Sequence, residues 1–250
     1  LTLSDAHDLD AGGAPRMWKV FSVPGIAGCE RQPVQGRLHF WTNAALYQLD
    51  FPGDAVWRWT TAGKARLANQ ALAAFDLATA VFAIVDATNG IVSNSVASLA
   101  SAVLRSAPLD SAGLLIPTVA VATTAGVSVI HPWGAVYDIA TTGGYSRISL
   151  DRDRVLALRG NDARKLEYGP IPYSDATGPA WRQGLYAVQG ASDGTLQVGP
   201  SDANTTMMEF VVATHLLAVG TNVRGIGIVQ DDRSAPGNGM AAFIGTGYAT

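Results

Sequence analysis

Apolar and polar positions along the chain alternate in short runs separated by turn residues. Arg37 to Thr42 and Ala45 to Phe51 flank a turn at Asn43-Ala44, and Ala55 to Thr60 alternates around Trp57 and Trp59. Met17-Trp18-Lys19-Val20-Phe21 is short and aromatic. Runs of about four to eight β-branched and aromatic residues between turn signals predict strands. Further on the same unit recurs. Phe82 to Asp86 and Gly90 to Val92 flank Thr88-Asn89, and Val119 to Thr123 and Val127 to His131 flank Thr124-Ala125-Gly126. Val155 to Arg159 and Lys165 to Gly169 flank Asn161-Asp162, Leu185 to Gln189 and Thr195 to Gly199 flank Ser192-Asp193-Gly194, and Leu216 to Gly220 and Gly225 to Gln230 flank Asn222. Asn, Asp and Gly tolerate the positive φ angles of tight turns, so each unit predicts an antiparallel hairpin.

Two segments carry a helical spacing instead. Lys64 to Leu77 places Leu67, Ala71 and Phe75 four apart. Asn94 to Arg105 places Val96, Leu99, Ala100, Val103 and Leu104 on one face of a 3.6-residue period, with Asn94 or Ser95 able to cap it and Pro108 to stop it. The pattern therefore predicts a mainly β fold, an antiparallel sandwich of jelly-roll type, with two short inserted helices. The alternative is an irregular six-bladed propeller, since the hairpin units start at intervals drifting from about 44 down to about 30 residues. That drift, and the helices, favour the sandwich. Residues 1–13 read as an acidic N-terminal arm with Asp5, Asp8 and Asp10, and residues 14–250 as a single β-rich domain with no linker-like run inside it.

Composition narrows the classes of function. Apolar residues make up 48% of the 250 and charged residues only 15%, a balance opposite to that of disorder. The net charge is −3, and the basic residues are scattered apart from Arg152, Arg154 and Arg159, so no stripe for nucleic acid is visible. No apolar stretch reaches the ~18 residues of a transmembrane helix. Cys29 is the single cysteine, which excludes an internal disulfide and predicts a small buried hydrophobe. The chain starts at Leu1 rather than Met, which fits cleavage from a precursor.

Local chemistry is sparse. His7, Asp8 and Asp10 lack the ligand order of a calcium loop, and His39, His131 and His215 are isolated from one another, without zinc spacing. Asp151 and Asp153 alternate with Arg152 and Arg154 and read as self-neutralising surface pairs, as does Asp231-Asp232-Arg233. No Walker loop, nucleophile elbow or dinucleotide fingerprint is present. No catalytic residue, cofactor or metal is expected. Trp57 and Trp59 share one side of a strand, as core or as a sugar platform, and Arg58 points the other way, to solvent or a partner. Trp181 and Arg182 after Pro179-Ala180, Trp133 between Pro132 and Gly134, and Arg58 are the candidate surface contacts.

Few charges and long Ala-, Gly- and Thr-rich loops lead to one expectation: a non-enzymatic subunit of a large assembly, such as a viral capsid or phage virion protein. Its partners would be copies of itself, and its place the virion and, during assembly, the host cytoplasm. A glycan-binding β module, lectin-like and able to serve a particle in contacting a host surface, is the alternative.

Overall fold

The computed structural model describes residues 2–5, 16–20, 25–30, 33–68, 71–72, 75–150, 154–159, 165–187, 196–197, 205–211, 216–221, 225–230 and 240–244. The fold is mainly β, and its sheets are built from strands that follow one another in sequence. Strands β1 (Thr2–Asp5), within the acidic arm, and β2 (Arg16–Val20) form an antiparallel pair. The first large sheet runs in order through β3 (Ile26–Cys29), β4 (Arg37–Thr42), β5 (Leu46–Asp50), β6 (Ala55–Thr60), β7 (Gly63–Leu67) and β8 (Phe82–Asp86). The second contains β9 (Val96–Ala102), β10 (Thr118–Thr123), β11 (Gly126–Ile130) and β12 (Val136–Ala140). The third begins with β13 (Tyr145–Leu150), β14 (Arg154–Arg159) and β15 (Lys165–Pro170). The short strand β16 (Ala176–Thr177) returns to β12, and the four-residue helix α1 (Gly178–Trp181) leads on to β17 (Gly184–Ala187) and β18 (Leu196–Gln197) of the third sheet. The last sheet holds β19 (Thr205–Val211), β20 (Leu216–Thr221), β21 (Gly225–Gln230) and β22 (Met240–Ile244).

The first three large sheets stack face to face, sandwich-like, and strand alternation divides the core. On β10, Val119 and Val121 face the first sheet and pack with Leu46, Trp59 and Ile91. Ala120 and Ala122 on the same strand face the third sheet and pack with Tyr145, Ile148, Val155 and Ala157. The small alanines leave room there for a tyrosine. A third cluster, with Leu38, Phe40, Leu49 and Val56, covers the outer face of the first sheet. Each large side chain buried in these clusters stabilises the fold by roughly 1.5–3 kcal/mol. Stacking of successive sheets accounts for these cores without ring closure.

The two expected helices are strands and loop instead. In β7 burial alternates strictly: Gly63, Ala65 and Leu67 are buried while Lys64 and Arg66 are not. Leu72 and Phe75 then fold over the outer cluster through a single 3-10 turn, the Phe75 N–H donating to the Leu72 carbonyl at 3.1 Å, with no α-helix among the described residues of this segment. Asn94 to Arg105 contains β9, which pairs with β10 from Val96 to Ala102. Its Leu99 packs on one neighbouring sheet and its Ala100 and Ala102 on the other. A strand covered on both faces carries apolar and small residues almost continuously, and such a run also satisfies a helical period. Asn94 caps no helix; its Oδ1 accepts a 2.7 Å hydrogen bond from the Thr61 N–H.

Two other expectations change. β17 and β18 pair in parallel, so that unit is not an antiparallel hairpin. Cys29 is exposed on the edge strand β3 rather than buried. The turn residues Asn161-Asp162, Ser192-Asp193-Gly194 and Asn222, together with His7, Asp8, Asp10, Asp151, Asp153, His215 and Asp231–Arg233, lie outside the described residues.

Candidate functional site

Where the first sheet meets the second, the stacking leaves a cleft of about 210 Å³. Its first wall comes from β5, β6 and β7, with Gln48, Asp50, Trp57, Trp59 and Lys64. Trp57 and Trp59 are two apart on β6 and therefore share its inner face, with Trp59 buried and Trp57 half-buried. The Lys64 ammonium lies 4.2 Å from the Trp57 ring centre and 5.4 Å from that of Trp59. Burial pushes its pKa down against the opposing pull of the Asp86 and Asp50 carboxylates.

The opposite wall is the turn joining β11 to β12. The His131 N–H donates to the Ala135 carbonyl at 2.8 Å, and the Gly134 N–H donates to the His131 carbonyl at 2.9 Å. Gly134 sits at φ +97, which a side chain would strain. This tight turn pushes Trp133 outward, 54% exposed, while His131 stays buried beneath it. The two rings stack at 4.4 Å. Tyr173, 62% exposed, lies 5.0 Å from His131 and 6.1 Å from Trp133, its plane only 17° from that of Trp133. Trp133 thus forms the lip of the cleft, with the exposed Tyr173 ring nearly parallel beside it.

His131 Nε2 lies 2.8 Å from the Pro172 carbonyl oxygen, so this nitrogen carries the proton and donates it. Burial lowers the His131 pKa, opposed by that hydrogen bond, and the ring is neutral near pH 7. Arg37, which also lines the cleft, is buried and held by Asp110 at 2.5 Å and Asp50 at 3.5 Å. Gln48 is held from below: its Oε1 lies 3.2 Å from Nε2 of the buried His39, whose Nδ1 is 2.7 Å from Glu30 Oε2. Ser101 of β9 donates to the other Glu30 oxygen, joining the two sheets. Burial would raise the Glu30 carboxyl, but His39 and Ser101 outweigh it and hold it below its ordinary value. The Ser101 hydroxyl bonds to the carboxylate rather than to the imidazole, so the set is a structural clamp and not a nucleophile with its base.

A second polar cluster is closed. Glu167, 1% exposed, accepts the Tyr145 hydroxyl at 2.6 Å and pairs with Arg159 at 2.9 Å and Arg182 at 3.0 Å. Burial and then the adjoining Glu167 raise the Tyr145 pKa. Among the described residues no group of three or more His, Cys, Asp or Glu side chains could hold a metal ion. Nor is any helix among them long and apolar enough to cross a membrane.

The candidate contacts fare differently. Trp133 is exposed and forms the lip. Trp181 is 5% exposed and belongs to the core between the second and third sheets, which corrects the expectation of a surface contact. Its indole N–H donates to the Pro170 carbonyl at 2.7 Å, and Gly169 gives its ring the room that a Cβ would take. Arg182 beside it is exposed but engaged by Glu167. Arg58, expected to reach solvent or a partner, is half-buried over the Phe82 ring at 4.6 Å. Lys64, Gln48 and Tyr173 were not singled out by sequence, because nothing local distinguishes them.

No protein-family model matches the chain, and no curated protein matches it. Solved structures similar to it include Hsv2 of Kluyveromyces lactis, with a TM-score of 0.39 at 8% identity over 86% of this chain and 65% of that one. Apo AztD from Citrobacter koseri gives a TM-score of 0.44 at 8% identity over 93% and 63%. The extracellular domain of a putative one-component system from B. thetaiotaomicron gives 0.40 at 11% over 92% and 29%. The chain therefore spans less than two thirds of each of these. At such scores the likeness carries no argument about what the chain binds.

Proposed function

We propose that the chain is a carbohydrate-binding β module whose site is the cleft between the first and second sheets. The observation that carries this reading is the exposed Trp133, with the Tyr173 ring nearly parallel beside it, at the mouth of a cleft walled by Trp57 and Trp59. Sugar rings have an apolar C–H face and a polar rim. Flat aromatic surface takes the first, and a few fixed polar groups take the second. The cleft is smaller than the ~300–1,000 Å³ of drug-sized pockets, which suits a single ring. Binding rather than catalysis is its role.

Tryptophan emission during titration with methyl glucoside, galactoside and mannoside tests this reading. One of them should bind saturably, and Trp133→Ala should weaken it about 30-fold, the usual effect of truncating a central aromatic anchor. No response to any of the three would overturn it.

A second reading, a self-assembling subunit of a capsid or phage particle, draws on the edge of the first sheet. There Val81, Ile84 and Val85 are exposed at 66%, 57% and 56% on or beside β8. An apolar edge strand invites pairing with another copy. Sedimentation should then show mass rising with concentration; a constant monomer would remove this reading.

A further inference from the structure

We infer that Lys64 is a carbonyl-capturing amine: an aldehyde entering the cleft between the first and second sheets forms an imine with its Nζ. This goes beyond the carbohydrate reading and stands without it. Lys64 follows the buried Gly63 at the start of β7, and strand alternation turns it to the inner face, opposite Trp59 of β6. Its Nζ lies 4.2 Å from the Trp57 ring centre and 5.4 Å from that of Trp59. A Cβ added to Gly134 would stand 3.9 Å from the same atom, so the amine reaches from one wall of the cleft to the other. Gly134 carries no side chain to fill the space in front of it. Lys64 is half-buried, and its Nζ is not sealed from solvent.

An amine attacks a carbonyl only when it is neutral, and a lysine desolvated in an apolar site is the usual way to reach that state. The indole faces attract the ammonium but offer its three N–H donors no oxygen acceptor. Among the described residues no carboxylate forms an ion pair with Nζ. Asp50 is engaged by Arg37 at 3.5 Å, and Asp86 accepts hydrogen bonds from Thr88 and Asn89. Both carboxylates act on Lys64 only from a distance. Burial outweighs them and holds the amine below its ordinary pKa.

The step balances without any further reagent. The Nζ lone pair forms a bond to the aldehyde carbon as the C–O π bond breaks, and one amine proton passes to the oxygen. Loss of that hydroxyl with a second amine proton, as water, leaves the C=N bond. Water reverses the step, so the cleft holds its ligand covalently but releases it unchanged.

The test is reductive trapping on the full chain at neutral pH, with cyanoborohydride to convert any imine into a stable secondary amine. Glyceraldehyde and propanal are the probes, and Nα-acetyllysine in the same tube is the fully solvated reference. The chain has only two other lysines, Lys19 and Lys165, so peptide mass mapping reads all three sites at once. Lys64 should take up label about tenfold faster than the reference and than either other lysine. Its rate should saturate with aldehyde concentration, and in urea the advantage should vanish with the cleft. Faster capture of glyceraldehyde assigns the occupant to open-chain sugars, and faster capture of propanal to apolar aldehydes. Labelling of Lys64 no faster than that of Nα-acetyllysine overturns the inference, as does an advantage that persists in urea. Lys64→Arg, which keeps a cation beside the indoles but no primary amine, should lose the fast label. The unaltered chain decides the matter even if that variant does not fold. Methyl pyranosides carry no free aldehyde, so the binding test above and this one fail independently.

Discussion

A Gly126→Ala chain will lose about 4 kcal/mol of stability, a large part of the ~5–15 kcal/mol that holds a typical domain together. Gly126 opens β11 at φ +153, where a side chain is strained. An added Cβ would stand 2.1 Å from the Ile139 carbonyl oxygen and 3.0 Å from its carbon, both backbone atoms of β12. Backbone in the middle of a paired strand cannot swing aside as the end of a lysine can. The residue also faces Thr123 across the β10–β11 turn and Ala140 on β12, and its carbonyl accepts the Thr123 hydroxyl at 3.0 Å. Strain and overpacking, roughly 1–3 kcal/mol each, therefore act on the sheet that is covered on both faces. Urea unfolding measures the loss. A change under about 1 kcal/mol would mean that β12 does not approach Gly126 so closely.

The second large effect belongs to Glu167. Replacing it by alanine should cost about 3 kcal/mol, the lower end of the range for breaking a buried ion pair. The carboxylate is buried and serves three partners, so its loss strands the Tyr145 hydroxyl and removes the counter-charge of two arginines. The value stays low because Arg159 and Arg182, with side chains 25% and 37% exposed, can turn toward water. Glu167→Gln keeps a hydrogen bond for Tyr145 and should lose less than the alanine variant. Thermal unfolding of both separates charge from shape, and a Glu167→Ala chain as stable as the original would refute the assignment.

The hairpins were legible because their signals are local. Thr124-Ala125-Gly126 lies between two β-branched runs, and only glycine fits the conformation that follows the turn. Asn43-Ala44 marks the β4–β5 turn in the same manner. The helices were misread because β9 is small-residue rich and buried on both faces, so its period of two is hidden. Trp181 was misread because proline and glycine around it signal a loop, whereas its ring is covered by a sheet that sequence cannot place. The cleft was legible only in fragments. Trp57 and Trp59 were seen as a pair on one side of a strand and Trp133 as exposed, but their meeting depends on sheet stacking.

The most direct test of the sugar site is the set of tryptophan indole N–H signals in a nitrogen–proton correlation spectrum, recorded as a binding methyl pyranoside is added. The site predicts that the Trp133 and Trp57 signals move as a sugar ring seats beside them, and that Trp181, bonded to Pro170 in a different core, stays still. Saturable binding that leaves Trp57 and Trp133 unmoved would contradict it.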